Sequence, residues 1–327
     1  MRCAYAARQD PDDPLSGLEV GDLPEPETPD GWVRVQVRAA SLNHHDLWSL
    51  RGVGLPADRL PMILGTDAAG ATVDGREVIV HSVIASPGWT GEETLDPKRT
   101  LLSELHPGTL AEQVHVPARN VIDKPAGWSF AEAACLPTAY LTAYRMLYGA
   151  AGVAPGQRVL VQGAGGGVAT AAILLARLGG AHVTVTSRDE AKLERARALG
   201  AHDAVASGTR IAPVDAVLET VGEATWAHSL RSLRPGGVIA VAGATSGPAP
   251  SADLNRVFFR SLRVIGTTMG TLAELAAVRD AMVAGGLRPV IDSTHRFTDD
   301  DEGTTAVRTA FERLASGAAY GKVVLTR

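Results

Sequence analysis

In the first third of the chain, apolar positions recur in twos. Trp32 to Ala40 (WVRVQVRAA) sets Val33, Val35 and Val37 on one face and Arg34, Gln36 and Arg38 on the other, the period of a half-buried antiparallel strand. A proline-rich turn, Pro24 to Pro29, precedes it, and shorter apolar runs at Glu77 to Ile84 and Ala111 to Pro117 are bounded by Gly and Pro. The pattern predicts a barrel-like β domain. From about Thr138 short β-rich runs alternate with helical stretches, the signature of a parallel sheet with crossover helices. Strands are predicted at Arg158 to Gln162, His182 to Thr186, Ala204 to Ala206, Ala216 to Glu219, Val238 to Ala242 and Arg263 to Thr267. Helices fall at Asp189 to Leu199 and at Trp226 to Leu233, the latter closed by a turn at Pro235, Gly236 and Gly237. The fold class is therefore α/β, a doubly wound parallel sheet joined to a β-rich domain.

Beyond Met269 the pattern gives a helix at Leu272 to Ala284, a short strand near Val290, a second helix and a last strand at Lys322 to Leu325. Val307, Ala310, Phe311 and Leu314 share one helical face, and Asp299 to Glu302 lie just before it, as a solvated run that complements the helix dipole. Composition adds limits. With 45% apolar and 20% charged residues over 327 positions, the chain is globular and long enough for two domains, expected at residues 1–138 with 269–327, and at 139–268. A net charge of -5 without a basic stripe gives no footprint for nucleic acid. The longest apolar stretch, Val168 to Ala176, is too short to span a membrane. Two cysteines make no disulfide framework and the N-terminus carries no apolar signal core, so a reducing cytoplasm is the expected location.

The strand RVLVQ runs into GAGGGVATAAILLARLGGA and on to a second strand ending in TSRDEAK. That order gives a glycine motif the context a dinucleotide site needs. The best register is Ala164-x-Gly166-x-x-Ala169, with Gly163, Gly165, Gly167 and Val168 completing a turn whose backbone approaches a pyrophosphate at a helix N-terminus. An acidic residue ending the second strand would favour NAD. Here Ser187 and Arg188 stand there with Lys192 a turn later, a donor-rich set suited to a 2′-phosphate, so NADPH is the expected cofactor while Asp189 keeps NAD open.

These features, with GTDAAG (Gly65 to Gly70), LPTAYLTAYRML (Leu136 to Leu147) and GKVVL (Gly321 to Leu325), resemble the medium-chain dehydrogenase/reductase superfamily over essentially the whole chain, and within it the quinone oxidoreductase and zinc-type alcohol dehydrogenase-like branch. The resemblance implies a GroES-like catalytic domain, a Rossmann domain, an active site between them and a homodimer. It also implies that Thr142 and Lys322 contact the cofactor, that Val221, Gly243 and Ala244 line its ring, and that Thr267 to Met269 approach it. Zinc alcohol dehydrogenases hold their catalytic metal with a cysteine, the histidine of a GHE motif and a second cysteine. This chain reads Asn43, then Gly65-Thr66-Asp67, then Thr138 at those places, and the loop Ala85 to Gly108, where the structural zinc would sit, has no cysteine. No metal is expected, although Asp67 with His44 or His45 leaves a weak site conceivable.

Without a Lewis acid, conjugate hydride addition is easier than alcohol–carbonyl exchange, because the charge spreads into an enolate that hydrogen bonds can hold. The expectation is a zinc-independent, NADPH-dependent reductase of a quinone or an α,β-unsaturated carbonyl compound. Asn43 and the Thr138 to Thr142 segment would hold the oxyanion, with solvent or Tyr140 as proton source; alternatively the Tyr140 hydroxyl only caps a backbone carbonyl. His45 and Asp46 read as a structural pair or a proton relay. Trp48, Thr138, Phe258 and Phe259 are candidate pocket residues, with the loop around Trp89. An alcohol dehydrogenase with an atypical metal site and a non-catalytic NADPH-binding protein are the competing readings.

Overall fold

A computed structural model describes all residues, Met1 to Arg327. The chain forms two units, one of residues 1–139, 270–283 and 291–327, the other of residues 140–269 and 284–290.

The first unit is built on the alternating strand. Trp32–Ser41 buries Val35 and Val37 and leaves Arg34, Gln36 and Arg38 in solvent. It lies at the centre of a seven-stranded sheet ordered Val121–Asp123, Glu77–Val80, Asp67–Thr72, Trp32–Ser41, Lys322–Thr326 and Ile291–Arg296, with Gln113–Pro117 also paired to it. The run Glu77 to Ile84 is two strands, Glu77–Val80 and Val83–Ile84. A smaller sheet joins Leu18–Asp22, Arg2–Ala6 and Met62–Ile63. The core between them holds Leu42, Leu64, Val80, Leu110, Phe311 and Val323. The helix Asp301–Ala315 turns Val307, Ala310, Phe311 and Leu314 inward, and Asp300 caps it by accepting the Gly303 N–H at 3.0 Å.

The second unit is a six-stranded parallel sheet in the order Asp203–Ala206, His182–Ser187, Arg158–Val161, Val214–Glu219, Leu233–Val241, Arg263–Gly266. The chain runs outward from Arg158–Val161 in both directions, which puts the switch point beside that strand, at its carboxyl end. All six predicted strands are present within a few residues. One prediction differs: no turn separates the helix Glu223–Ser232 from the next strand, which begins at Leu233 and absorbs Pro235 to Gly237 by a bulge opposite Val214 and Ala216, with Gly236 at φ +76°. The predicted strand near Val290 is Ile291–Arg296, paired in parallel with Lys322–Thr326. No helix is long and apolar enough to cross a membrane.

Candidate active site

In the first unit, three strands and a short helix deliver a buried polar chain. Ser41 ends the central strand, Asp67 begins the strand paired to it, and Lys322 begins the strand on its other side. Asn43 is the N-cap of the helix His44–Leu50. The Lys322 ammonium donates to Leu42 O at 2.7 Å, Asn43 Oδ1 at 2.5 Å and Asp67 Oδ2 at 3.1 Å. Those three bonds use all of its protons. Asp67 Oδ2 also accepts from Ser41 Oγ at 2.7 Å and Asn43 Nδ2 at 2.8 Å. Asn43 Nδ2 reaches Thr66 Oγ1 at 3.2 Å, and Thr66 Oγ1 lies 3.0 Å from Thr138 Oγ1.

Asn43, Thr66 and Thr138, the three places where zinc alcohol dehydrogenases carry ligands, thus converge in space. They converge as an amide and two hydroxyls bonded to one another, next to a lysine ammonium. This donor set does not suit zinc, which takes three nitrogen, sulfur or carboxylate ligands. Asp67 Oδ1, buried and without a partner, offers a single ligand, and nowhere in the chain do three His, Cys, Asp or Glu side chains gather as a metal site. The turn that presents Thr66 and Asp67 requires glycine at 65: φ is +100°, and a Cβ there would lie 2.4 Å from Thr109 Oγ1.

Asp46 sits below this chain, fully buried, accepting the Asn43 N–H at 2.8 Å and the Gly65 N–H at 3.0 Å. It therefore ties the segment carrying Asn43 to the turn carrying Thr66. Burial pushes its carboxyl up to about 6 against the opposing pull of His45 and the Asn43 N–H. The expected His45–Asp46 pair is not formed, because Asp46 spends its oxygens on backbone; His45 pairs instead with Glu104, 2.9 Å from Nε2 to Oε1.

In the second unit, the predicted cofactor residues gather at the carboxyl ends of the strands. Ala164 and Gly165 are buried, Gly166 is the N-cap of the twelve-residue helix Gly167–Leu178, and no side chain caps that end, leaving its N–H groups to a ligand. Lys192 folds back over the turn: a Cβ on Gly165 would lie 2.9 Å from Lys192 Nζ. Glycine at 165 is what admits the lysine. Val221 packs near Gly163, 3.8 Å from the Cβ position there. Ser246 N donates to Val221 O at 2.7 Å, which ties the loop of Val221 to the loop of Gly243 and Ala244. Sequence reasoning missed Glu219, the buried group that fixes this corner. Its carboxylate accepts from Val221 N at 2.8 Å, Gly222 N at 3.1 Å, Thr225 Oγ1 at 2.8 Å and Ser229 Oγ at 2.5 Å.

At the second strand, Asp189 caps the helix Glu190–Leu199 by accepting from Ala191 N at 2.9 Å, while Ser187 Oγ accepts from Asp189 N at 3.1 Å and Arg188 is exposed. Thr142 is buried on the helix packed against Gly167–Leu178. Thr267 continues the sheet edge by donating its N–H to Val241 O at 2.8 Å, and Met269 follows at φ +45°.

Three expectations are corrected, those for Tyr140, Lys322 and the pair Phe258 and Phe259. Tyr140 is fully buried and its hydroxyl oxygen accepts the Val290 N–H at 2.8 Å, so it braces the second unit and is not a proton donor to substrate. Lys322 is 3% exposed and spends its three protons inside the polar chain, so none is left to donate to a cofactor. Phe258 and Phe259 are 59% and 79% exposed at the end of the short helix Leu254–Phe259, so they wall no enclosed pocket in their unit. Trp48 is half-buried, with the Arg51 guanidinium 5.2 Å from its ring centre.

Residues 29–126 match the alcohol dehydrogenase GroES-like domain and residues 167–284 the zinc-binding dehydrogenase family. The chain is 30% identical to a zinc-type alcohol dehydrogenase-like protein of Schizosaccharomyces pombe, over 96% of this chain and 97% of that one. It is 28% identical to an acryloyl-coenzyme A reductase of Sulfurisphaera tokodaii, over 90% and 94%. An NAD-dependent alcohol dehydrogenase of known structure superposes with a TM-score of 0.89 at 34% identity, covering 100% of both chains. The chain belongs to the medium-chain dehydrogenase/reductase superfamily, among its zinc-type alcohol dehydrogenase-like members. It is an oxidoreductase of that superfamily, and its uncapped helix and glycine turn fit a nicotinamide dinucleotide.

Proposed function

We propose that this protein is a zinc-independent, NADPH-dependent reductase of conjugated carbonyl compounds, with enoyl thioesters first among its substrates and quinones as a second acceptor class. The observation that carries the proposal is the hydrogen-bonded series from Lys322 through Asn43 and Thr66 to Thr138. Lys322 and Asn43 spend their donors inside the protein. If Thr66 donates to Thr138, the one proton left over is that of the Thr138 hydroxyl, on the only member of the series that is not buried. Each donor is polarised by the one behind it, and the buried ammonium stands at the head. Thr138 then offers a strengthened O–H to the oxygen of an enolate, the charge that develops when hydride reaches the β-carbon. Bound NADPH supplies that hydride. Alcohol–carbonyl exchange asks for the full negative charge of an alkoxide to be held, which a single hydroxyl does poorly compared with a metal.

For the cofactor, Lys192 lies over Gly165, Arg188 next to Ser187 in sequence is exposed, and Asp189 caps its helix. Two cations beside a carboxylate that serves as a helix cap suit a 2′-phosphate over a 2′-hydroxyl. The similarity to an acryloyl-coenzyme A reductase supports the enoyl substrate class. A homodimer completes the reading: Phe258, Phe259 and Val264 leave apolar surface on and beside Arg263–Gly266, which is an edge strand of the sheet.

The experiment is oxidation of NADPH and of NADH in the presence of acryloyl and crotonyl thioesters, enones, quinones and, in the reverse direction, alcohols. Turnover of an enoyl or enone acceptor with NADPH, with Lys192→Ala losing about tenfold in kcat/KM for NADPH and little for NADH, supports the proposal. Turnover of alcohols alone overturns it.

A further inference from the structure

The parallel sheet of the second unit buries a charge that no cation accompanies. Glu219 ends the strand Val214–Glu219 at 0% exposure, and every bond its carboxylate accepts comes from a neutral donor: the backbone N–H groups of Val221 and Gly222 and the hydroxyls of Thr225 and Ser229. A carboxylate taken out of water persists only where its lone pairs are filled in this way.

Behind Ser229 the donors continue in one direction. Gln162 Nε2 donates to Ser229 Oγ at 2.9 Å, Thr186 Oγ1 donates to Gln162 Oε1 at 2.7 Å, and the Gly163 N–H donates to Thr186 Oγ1 at 3.4 Å. His228 fixes the sense of the Gln162 amide. Its Nε2 lies 2.9 Å from Thr209 O, which can only accept, so Nδ1 is the acceptor of the second Gln162 N–H at 2.9 Å. Gln162, Thr186, Ser229 and Glu219 are at most 1% exposed. Each donor is polarised by the one behind it, and the series joins the glycine turn at Gly163 to the turn at Val221 and Gly222. That second turn admits only glycine at 222, where φ is +92° and a Cβ would lie 2.4 Å from Gly247 O, and both of its leading N–H groups end on Glu219 Oε1. Val221 is partly exposed beside Gly163, so a ligand on the glycine turn can reach it.

In a doubly wound sheet a dinucleotide crosses the carboxyl ends of the strands at the switch point, one half to each side. Ser187 and Arg188 close the strand on one side of Arg158–Val161, where the 2′-phosphate half belongs, and Val221 follows the strand on the other side, where the nicotinamide half falls. We propose that Glu219 is a positioning residue for the nicotinamide half of NADPH, holding the turn at Val221 in register with the glycine turn through Ser229, Gln162 and Thr186. The assignment rests on the NADPH reading above.

The test is the binding of NADPH and of 2′-phospho-ADP-ribose, the same molecule without its nicotinamide, measured by titration calorimetry. Glu219→Leu strips the turn of its acceptor and is expected to weaken NADPH by about tenfold while the fragment stays within about twofold of wild type. Glu219→Gln keeps an oxygen for the Val221 and Gly222 N–H groups and is expected to restore most of the NADPH affinity. Ser229→Ala, which takes one donor from the carboxylate and carries the test should Glu219→Leu not fold, is expected to cost about threefold, confined to NADPH. Equal losses for the two ligands, or no loss for either, overturn the assignment and leave Glu219 a part of the fold alone. A wild type that binds NADH and ADP-ribose more tightly than their 2′-phosphorylated counterparts overturns the NADPH reading, and the same comparison between NADH and ADP-ribose then decides the role of Glu219.

Discussion

Lys322 Nζ and Asp67 Oδ2 lie 3.1 Å apart, with their side chains 3% and 0% exposed, although 255 residues separate them in the chain. The pair joins the last strand to the strand that carries the GTDAAG turn, with Asn43 and Ser41 bonded to it from the strand end between them. A buried charge that loses its partner is left without water or counter-charge, at a cost of about 3–5 kcal/mol. Lys322→Met and Asp67→Asn are each expected to destabilise the fold by that amount in urea titrations. The double variant is expected to recover a large part of it, as a double-mutant cycle would show, because no lone charge remains.

Thr138 provides a local test of the polarised series. Thr138→Val keeps the volume and removes the hydroxyl, so kcat for an enoyl acceptor is expected to fall by about 10²–10³, the usual effect of removing one oxyanion donor. The KM for NADPH is expected to stay put. Thr138→Ser restores the O–H and is expected to retain most of the activity; a Thr138→Val enzyme with wild-type kcat would remove Thr138 from the chemistry.

Asp46 gives the fold a pH signature. Its carboxyl is held up at about 6 in the native protein, chiefly by burial, against an ordinary value of 3.8. Between those values the native state binds the proton and the unfolded chain has released it, so this group makes stability fall as pH rises from about 4 to about 6 and level off above. The fall is worth about 3 kcal/mol. Paired carboxylates such as Asp292, whose pKa the Arg313 guanidinium lowers despite burial, act with the opposite sign and at lower pH. The difference in unfolding free energy between wild type and Asp46→Asn, measured from pH 4 to 7, isolates the Asp46 slope; a difference that does not vary with pH would contradict it.

Much of this architecture was legible in the residues. The alternation of Trp32 to Ala40, the six strand runs of the parallel sheet and the glycine turn each encode local periodicity or backbone freedom, which a sequence displays directly. So did the convergence of Asn43, Thr66 and Thr138, through resemblance of position. Contacts between distant segments were not legible. Nothing local marks Lys322 as the partner of Asp67, Glu104 as the partner of His45, or Glu219 as the acceptor that holds Val221, since each pairing is made by strand order or by a strained turn. Tyr140 misled for a related reason: an aromatic hydroxyl near a presumed site looks chemical until the turn of its helix is known, and that wide turn, Leu136–Tyr140, points it inward to Val290. Phe258 and Phe259 misled because apolar side chains imply burial, and theirs is not supplied within the chain.

The claim that a hydrogen-bonded series headed by an ammonium does the work of a metal is tested most directly by kcat for NADPH-dependent enoyl reduction, measured on protein stripped with a strong chelator and verified metal-free by mass spectrometry. The account predicts the same kcat before stripping, after it and on addition of zinc. Activity lost on stripping and restored by zinc would contradict it.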